Sequence, residues 1–213
     1  MASTIQKAGT MGISGTFDAL ILSAGKSSRM GSDKALVRFQ EHNLLEGCLF
    51  AYNTSGARQI TVVVHDDLAK NHAYLNTLSQ FPRARTSINK HHLKGRNSSI
   101  LCGLKSQESY APLFIQNIDN PPPSFQLMQQ MLQSLPATMA VAMPWYKGKS
   151  GHPVLLSAAL AQALPRLLKG TQPLRDVLRC YPRLLIQASP LHTQFNINTP
   201  EALDAYTKIR CQT

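Results

Sequence analysis

Residues 19–34 have the types and spacing to grip a polyphosphate. Ala19 to Leu22 is an apolar run, short enough for a strand buried on both faces. It breaks into Ser23, Ala24, Gly25, Ser27, Ser28, Gly31 and Ser32, with the cations Lys26, Arg29 and Lys34 set among them. Small residues let a backbone approach a ligand closely. Their N–H groups cradle phosphate oxygens while fixed cations neutralise the charge. Two common phosphate loops are excluded by position. A P-loop ending in Gly25-Lys26-Ser27 needs a glycine at position 20, which is Leu20; one ending in Gly148-Lys149-Ser150 needs it at 143, which is Met143. No G-x-G-x-x-G follows the run, which excludes the dinucleotide fingerprint.

The stretch resembles the signature loop of the nucleotidyltransferases, L-x-A/G-G-x-S/G-x-R-M-G-x-x-K. The matched positions are Leu22, Ala24, Gly25, Ser27, Arg29, Met30, Gly31 and Lys34. The chain is most similar to the branch that attaches a nucleotide to the molybdenum cofactor, the MobA/MocA-like NTP transferases. The resemblance implies a Rossmann-like three-layer αβα fold. It also implies nucleotide contacts from Leu22, Ser23, Ala24, Gly25 and Lys26, with Arg29 on the leaving β- and γ-phosphates and Lys34 on the transferring α-phosphate.

Three further segments match the same family, and one more resembles it in part. Gly95-Arg96-Asn97-Ser98-Ser99-Ile100, ending in Gly103-Leu104, resembles its G-x-x-S-S-[IL]-x-x-G-L motif. The resemblance puts Gly95, Ser98 and Ser99 at the base; a helix start capped by Asn97 or Ser98 explains the same residues structurally. Asp119-Asn120-Pro121 matches the family's metal-binding aspartate, although an Asp there also suits a cap or an Asx-turn. A Mg²⁺ that bridges triphosphate oxygens needs such a carboxylate. Gly151-His152-Pro153-Val154-Leu155 resembles the segment beside the acceptor, where His152 either meets the acceptor or shapes the site. Asn196-Ile197-Asn198-Thr199-Pro200-Glu201 resembles a segment that carries aspartates in many relatives, so Asn198 would be a neutral second metal ligand. His91 and His92 read as solvated loop residues, Asp18 as a strand-edge residue, and Asp33 as a cap of the turn before Lys34.

The implied reaction is Mg²⁺-dependent transfer of a nucleoside monophosphate from CTP or GTP to a phosphorylated acceptor, with molybdopterin first. Ala24 leans to CTP and the 196–200 segment to GTP. A sugar- or polyol-phosphate acceptor and a non-catalytic nucleotide-binding homologue are the alternatives. A nucleic-acid-binding protein is the rival from another class. The formal charge of +11, from 22 basic and 11 acidic residues, calls for acidic partners of any of these kinds. Against nucleic acid, the basic residues form no run of five or six, and there is no RNA-binding aromatic motif.

The elements that must carry these loops follow from periodicity. Strands are expected at 19–22, 59–65, 84–88, 111–116, 138–143, 154–157 and 184–187, with an extended piece at 35–39. Helices are expected at 44–52 with Asn43 as cap, and at 66–78, 97–106, 125–135, 158–168, 174–180 and 200–210. The alternation of strand and helix predicts a mostly parallel sheet covered on both faces, and the pair at 138–157 predicts a small antiparallel hairpin. A length of 213 residues and 43% hydrophobic content fit one domain over 17–213 after a flexible leader at 1–16. There is no apolar run of 18 residues for a membrane span, and residues 1–16 lack the apolar core of a secretory signal. The four cysteines form no C-x-x-C, as in a cytoplasmic protein with thiols in its core.

Overall fold

The computed structural model of the protein describes residues 17–25, 33–39, 42–107 and 110–210. The proposed leader, Cys211, and the signature-loop residues Lys26 and Arg29 with the rest of 26–32 lie outside the described residues.

The first strand, β1 (Asp18–Leu22), is buried along its whole length. It pairs in parallel with β4 (Gln59–Val64) on one side and β6 (Leu113–Asn117) on the other. A strand with parallel neighbours and helices on both faces must be apolar throughout, and Ala19-Leu20-Ile21-Leu22 meets that demand. Between them run a 3₁₀ turn (Lys34–Leu36), the small antiparallel pair β2 (Arg38–Phe39) and β3 (His42–Asn43), and α1 (Leu44–Thr54). Asn43 and Glu46 close a capping box at the start of α1. The expected extended piece at 35–39 is therefore half turn and half strand. The turn forms because the Leu36 N–H bonds the Asp33 carbonyl at 2.9 Å.

The helix expected over 66–78 is two helices, α2 (Asp66–Ala69) and α3 (His72–Ser79). Asn71 breaks it, because its side chain accepts from the Ala73 and Tyr74 N–H groups and starts a new N-terminus. β5 (Ala84–Ile88) then pairs with β4, and α4 (Arg96–Lys105), α5 (Phe125–Ser134) and β7 (Val141–Tyr146) follow on either side of β6. The expected antiparallel pair is present, between β7 and the strand at 154–156, and β8 (Lys149–Ser150), which the pattern did not predict, lies antiparallel to β7 as well. The next strand, β9 (Val154–Leu156), enters the sheet between β6 and β7 and runs antiparallel to both. After α6 (Ala158–Leu167) and α7 (Leu174–Leu178), β10 (Arg183–Gln187) pairs in parallel with β7. The order is β10-β7-β9-β6-β1-β4-β5, with β8 on the side of β7. The last helices are α8 (Pro190–Gln194), which periodicity did not predict, and α9 (Pro200–Arg210).

Two apolar clusters fill the faces of the sheet. Ala19 and Ile21 face a cluster with α1, α5 and Tyr206 of α9; Leu20 and Leu22 face one with α4, α6 and α7. The alternation along β1 gives each face its own helices, so the molecule is a three-layer α/β fold with a mostly parallel sheet. Parallel strands bring the ends of β1, β4, β6 and β7 to one rim. The reversed β9 brings its start, just after Gly151-His152-Pro153, to the same rim. Asp18, at the other end of β1, is no edge residue: it is buried and held by Arg58 at 2.6 and 3.0 Å, away from the rim.

Candidate active site

Backbone hydrogen bonds lace three distant segments together at the rim. The Ile118 N–H bonds the Leu22 carbonyl at 3.1 Å, tying the exit of β6 to that of β1. The Ile197 N–H bonds the Asp119 carbonyl at 2.7 Å, tying the 196–198 segment to the aspartate loop. The Ser23 N–H bonds the Val63 carbonyl at 2.8 Å, so β1–β4 pairing continues to the edge of the loop. The result is a cleft of about 210 Å³ beyond the strand ends, where open α/β sheets bind ligands. Its walls include Leu22 to Gly25 on one side, Asn117 and Asp119 on another, and Gly95, Arg96 and Ser99 opposite.

Lys34 joins these walls. Its Nζ donates to Asn198 Oδ1 at 2.5 Å and lies 3.9 Å from Asp119 Oδ2. Two oxygen ligands from separate segments thus converge on one cation. Asp33 places it: the Asp33 carboxylate does not cap the turn but accepts from His65 Nε2 at 3.0 Å. His65 Nδ1 accepts from the Leu68 N–H at 3.3 Å, which leaves the proton on Nε2 for Asp33. His65 was not among the sequence candidates, and nothing in the pattern around it distinguishes it from an ordinary helix cap.

Gly95 is the N-cap of α4 at φ +90° and ψ −176°, a region that side chains all but exclude. It turns the chain so that α4 starts against the cleft. Ser99 is buried at the wall, and its Oγ accepts from Asn89 Nδ2 at 3.0 Å, which leaves its own proton to donate. Ser98 does not line the cleft; its Oγ accepts from the same Asn89 amide at 2.9 Å and faces the His91 and Gly95 carbonyls at 2.9 and 2.8 Å. Asn97 caps nothing at its own helix start and instead bonds the Gly170 and Gln172 carbonyls. His92, expected in solvent, is half-buried, lines the cleft and packs 5.6 Å from the His65 ring.

An amide relay runs behind Asp119. Asn120 Nδ2 donates to Asn196 Oδ1 at 2.7 Å, and Asn117 Nδ2 donates to Asn120 Oδ1 at 2.9 Å and meets His152 Nε2 at 3.0 Å. Asn196 therefore holds the frame, while Asn198 accepts from Lys34, which lines the cleft. His152 itself is pushed down to about 4, first by burial and then by the Arg96 cation; the Ile115 backbone and Asp119 pull the other way and are outweighed. It is neutral at ordinary pH. Gly151 fixes its entry. A Cβ there would stand 1.8 Å from the His192 carbonyl of α8, and that carbonyl accepts from the His152 N–H at 3.0 Å.

A divalent cation fits these donors. Asp119 offers a carboxylate and Asn198 a carbonyl oxygen, the hard ligands that Mg²⁺ takes. No cluster of three or more His, Cys, Asp or Glu exists among the described residues, so the remaining ligands would be phosphate oxygens and water, as is usual for Mg²⁺. No described helix is long and apolar enough to cross a membrane.

Comparison with solved structures gives the same fold. Rv0371c from Mycobacterium tuberculosis H37Rv superposes with a TM-score of 0.74 at 16% identity, covering 91% of this chain and 98% of that one. The same protein has also been solved as a complex with manganese, with a TM-score of 0.68 at 14% identity over 90% of this chain and 97% of that one. Molybdopterin-guanine dinucleotide biosynthesis protein A from Archaeoglobus fulgidus gives 0.65 at 19% identity, over 92% of this chain and all 100% of the other. CMP:2-keto-3-deoxy-manno-octonic acid synthetase, solved with CTP, gives 0.65 at 12% identity, over 92% and 99%. No curated protein matches the sequence significantly. The family profile of the MobA-like NTP transferase domain matches residues 19–188, most of the chain; the protein belongs to that family and is a nucleotidyltransferase.

Proposed function

We propose that the protein moves a nucleoside monophosphate, CMP before GMP, from a Mg²⁺-bound triphosphate to a phosphorylated acceptor, molybdopterin first. The observation that carries this is the convergence of Lys34, Asp119 and Asn198 at the mouth of a cleft walled by Leu22 to Gly25. An acceptor phosphate oxygen attacks the α-phosphorus in line. A new P–O bond forms, the bond from the α-phosphorus to the bridging oxygen breaks, and pyrophosphate leaves with the electron pair. The attacking phosphate is already ionised, so no general base is required, and a neutral His152 is consistent with that.

The protein supplies position and charge. Lys34, swung from Asn198, stabilises charge on the transferring phosphate, and Arg29 serves the leaving phosphates. The Ser99 hydroxyl donates to an acceptor atom of the base, with Gly95 allowing close approach. Asp119 and Asn198 would hold the cation, which when bound neutralises triphosphate oxygens. Support for the metal and nucleotide comes from the manganese complex of Rv0371c and the CTP complex of the octonic acid synthetase. Support for the acceptor comes from the molybdopterin-guanine dinucleotide protein.

Thermal shift with each of the four triphosphates and Mg²⁺ tests the nucleotide, because a specific ligand raises the melting point by mass action. CTP is expected to give the largest shift. Pyrophosphate release with molybdopterin then tests transfer. Lys34→Ala is expected to lower kcat about 10²- to 10³-fold, the scale of a lost charge donor in the transition state. Unchanged turnover would remove Lys34 from the chemistry.

A further inference from the structure

A second and larger cavity, of about 780 Å³, adjoins the nucleotide cleft; Gly95 and Arg96 line both. It runs down the α4 and α7 face of the sheet. Lys94, Arg96, Arg175, Arg179 and Arg183 line it, and among the described residues no carboxylate does. Its floor is aliphatic, from Met143, Val154 and Leu178. Asp176, just outside, offsets part of the charge through Arg175 at 3.6 Å and Arg179 at 3.1 Å. The cations are not gathered at the mouth. Arg183 is paired in register with Val141, four residues before Trp145 near the rim, which at about 3.3 Å per residue puts it about 13 Å down the sheet. A single phosphate at Arg96 cannot reach that depth.

We propose that this groove seats the acceptor, and that the acceptor carries a second anionic group remote from its reacting phosphate, held by Arg179 and Arg183 with an apolar body between. The inference rests on the nucleotidyltransfer reading, because the shared wall at Gly95 and Arg96 is what puts the acceptor phosphate against the nucleotide. Guanidinium groups suit such an anion, since they bind phosphates and carboxylates in a bidentate manner and stay charged at any working pH.

The test uses two probes of equal length, hexanediol bisphosphate and hexyl monophosphate, titrated calorimetrically into the full chain with CTP and Mg²⁺ present. The bisphosphate is expected to bind at least about tenfold more tightly, the scale of one added charge-assisted contact. The double variant R179A/R183A is expected to lose that preference while keeping the melting-point rise with CTP and Mg²⁺, which reports an intact fold. Equal binding of the two probes to the unaltered protein overturns the inference without needing any variant. So does a preference that survives the double substitution, or displacement of the bisphosphate by a single-stranded oligonucleotide at equal phosphate concentration. If no triphosphate raises the melting point, the nucleotidyltransfer reading fails instead, and the comparison of probes still reads the groove.

Discussion

His152 shows how a residue can stand out in the sequence and still have its surroundings hidden. Its sequence neighbours marked the segment, but whether it touched a ligand or the frame depended on partners far away in the chain. Those partners are amides: Asn117 donates to its Nε2, and Asn117 in turn is ordered by Asn120 and Asn196. Protonating that nitrogen would set two donors face to face. Its ordinary pKa near 6.5 falls to about 4 in the fold, so between those values the unfolded chain takes up a proton that the folded one refuses. The stability from neutral His152 is therefore complete above about pH 6.5 and is lost as pH falls toward 4. The loss is about 2 to 3 kcal/mol by pH 4.5, at 1.36 kcal/mol per unit. H152Q keeps an acceptor for Asn117 and has no proton to gain. Urea unfolding at pH 7 and pH 4.5 should show a smaller drop for H152Q than for the unaltered protein by that amount; equal drops would mean that His152 is not held neutral. Asn89, Asn117 and His65 were illegible for a related reason. Each orients another residue, and a polar side chain at a strand end has no sequence pattern that says what it orients.

Elements were legible where one physical cause set them. The run Ile60-Thr61-Val62-Val63-Val64 gives β4, and Asn43 with Glu46 gives the start of α1. Elements whose form depends on neighbours were not. The break in the strand–helix alternation predicts that β9 reverses against β7, but its insertion between β6 and β7 lies in pairing, which a hydrophobic pattern does not encode. The short α8 begins with Pro190 after Ser189, a signal too brief to separate from a turn, yet its backbone presses on Gly151. Gly103 is the clearest case. Its place in the second motif reads as functional spacing, but in the structure it is where α4 lies on β1 and β4. A Cβ there would come 2.2 Å from Leu20 Cδ1 and 2.9 Å from Val63 Cγ2, both wholly buried. Alanine gains about 1 kcal/mol over glycine in a helix, whereas overpacking a tight core costs about 1 to 3. The overlap favours the upper part of that range, so G103A is expected to destabilise by about 1 to 2 kcal/mol net in urea unfolding. A stabilised variant would show that the α4 approach has slack.

Across the whole molecule the charge of +11 has a place to act, and that place discriminates among acidic partners. Composition alone left nucleotides, phosphorylated small molecules and nucleic acid together. The larger cavity separates them, because its lining comes from 94–97, 143–154 and 171–183, three stretches whose meeting only the fold reveals. Single-stranded nucleic acid is gripped through a charged track together with aromatic platforms on which bases stack. Here the track is present and the large platforms are not: among the described residues no Phe, Tyr or Trp lines the cavity, and the imidazole that does, His152, is tied to Asn117 through Nε2. Its floor suits a compact anion with an apolar body. The two kinds of partner also respond differently to salt. An oligonucleotide making 6 to 10 phosphate contacts loses about 10³ to 10⁵ in affinity between 50 and 200 mM salt, whereas a small ligand engaging two or three cations releases few counterions. Binding of a random oligonucleotide by fluorescence anisotropy is therefore expected to vanish by 200 mM salt, while the melting-point rise with CTP and Mg²⁺ persists. Oligonucleotide binding that withstands 200 mM salt and is not displaced by CTP would assign the basic face to nucleic acid, and the cavity with it.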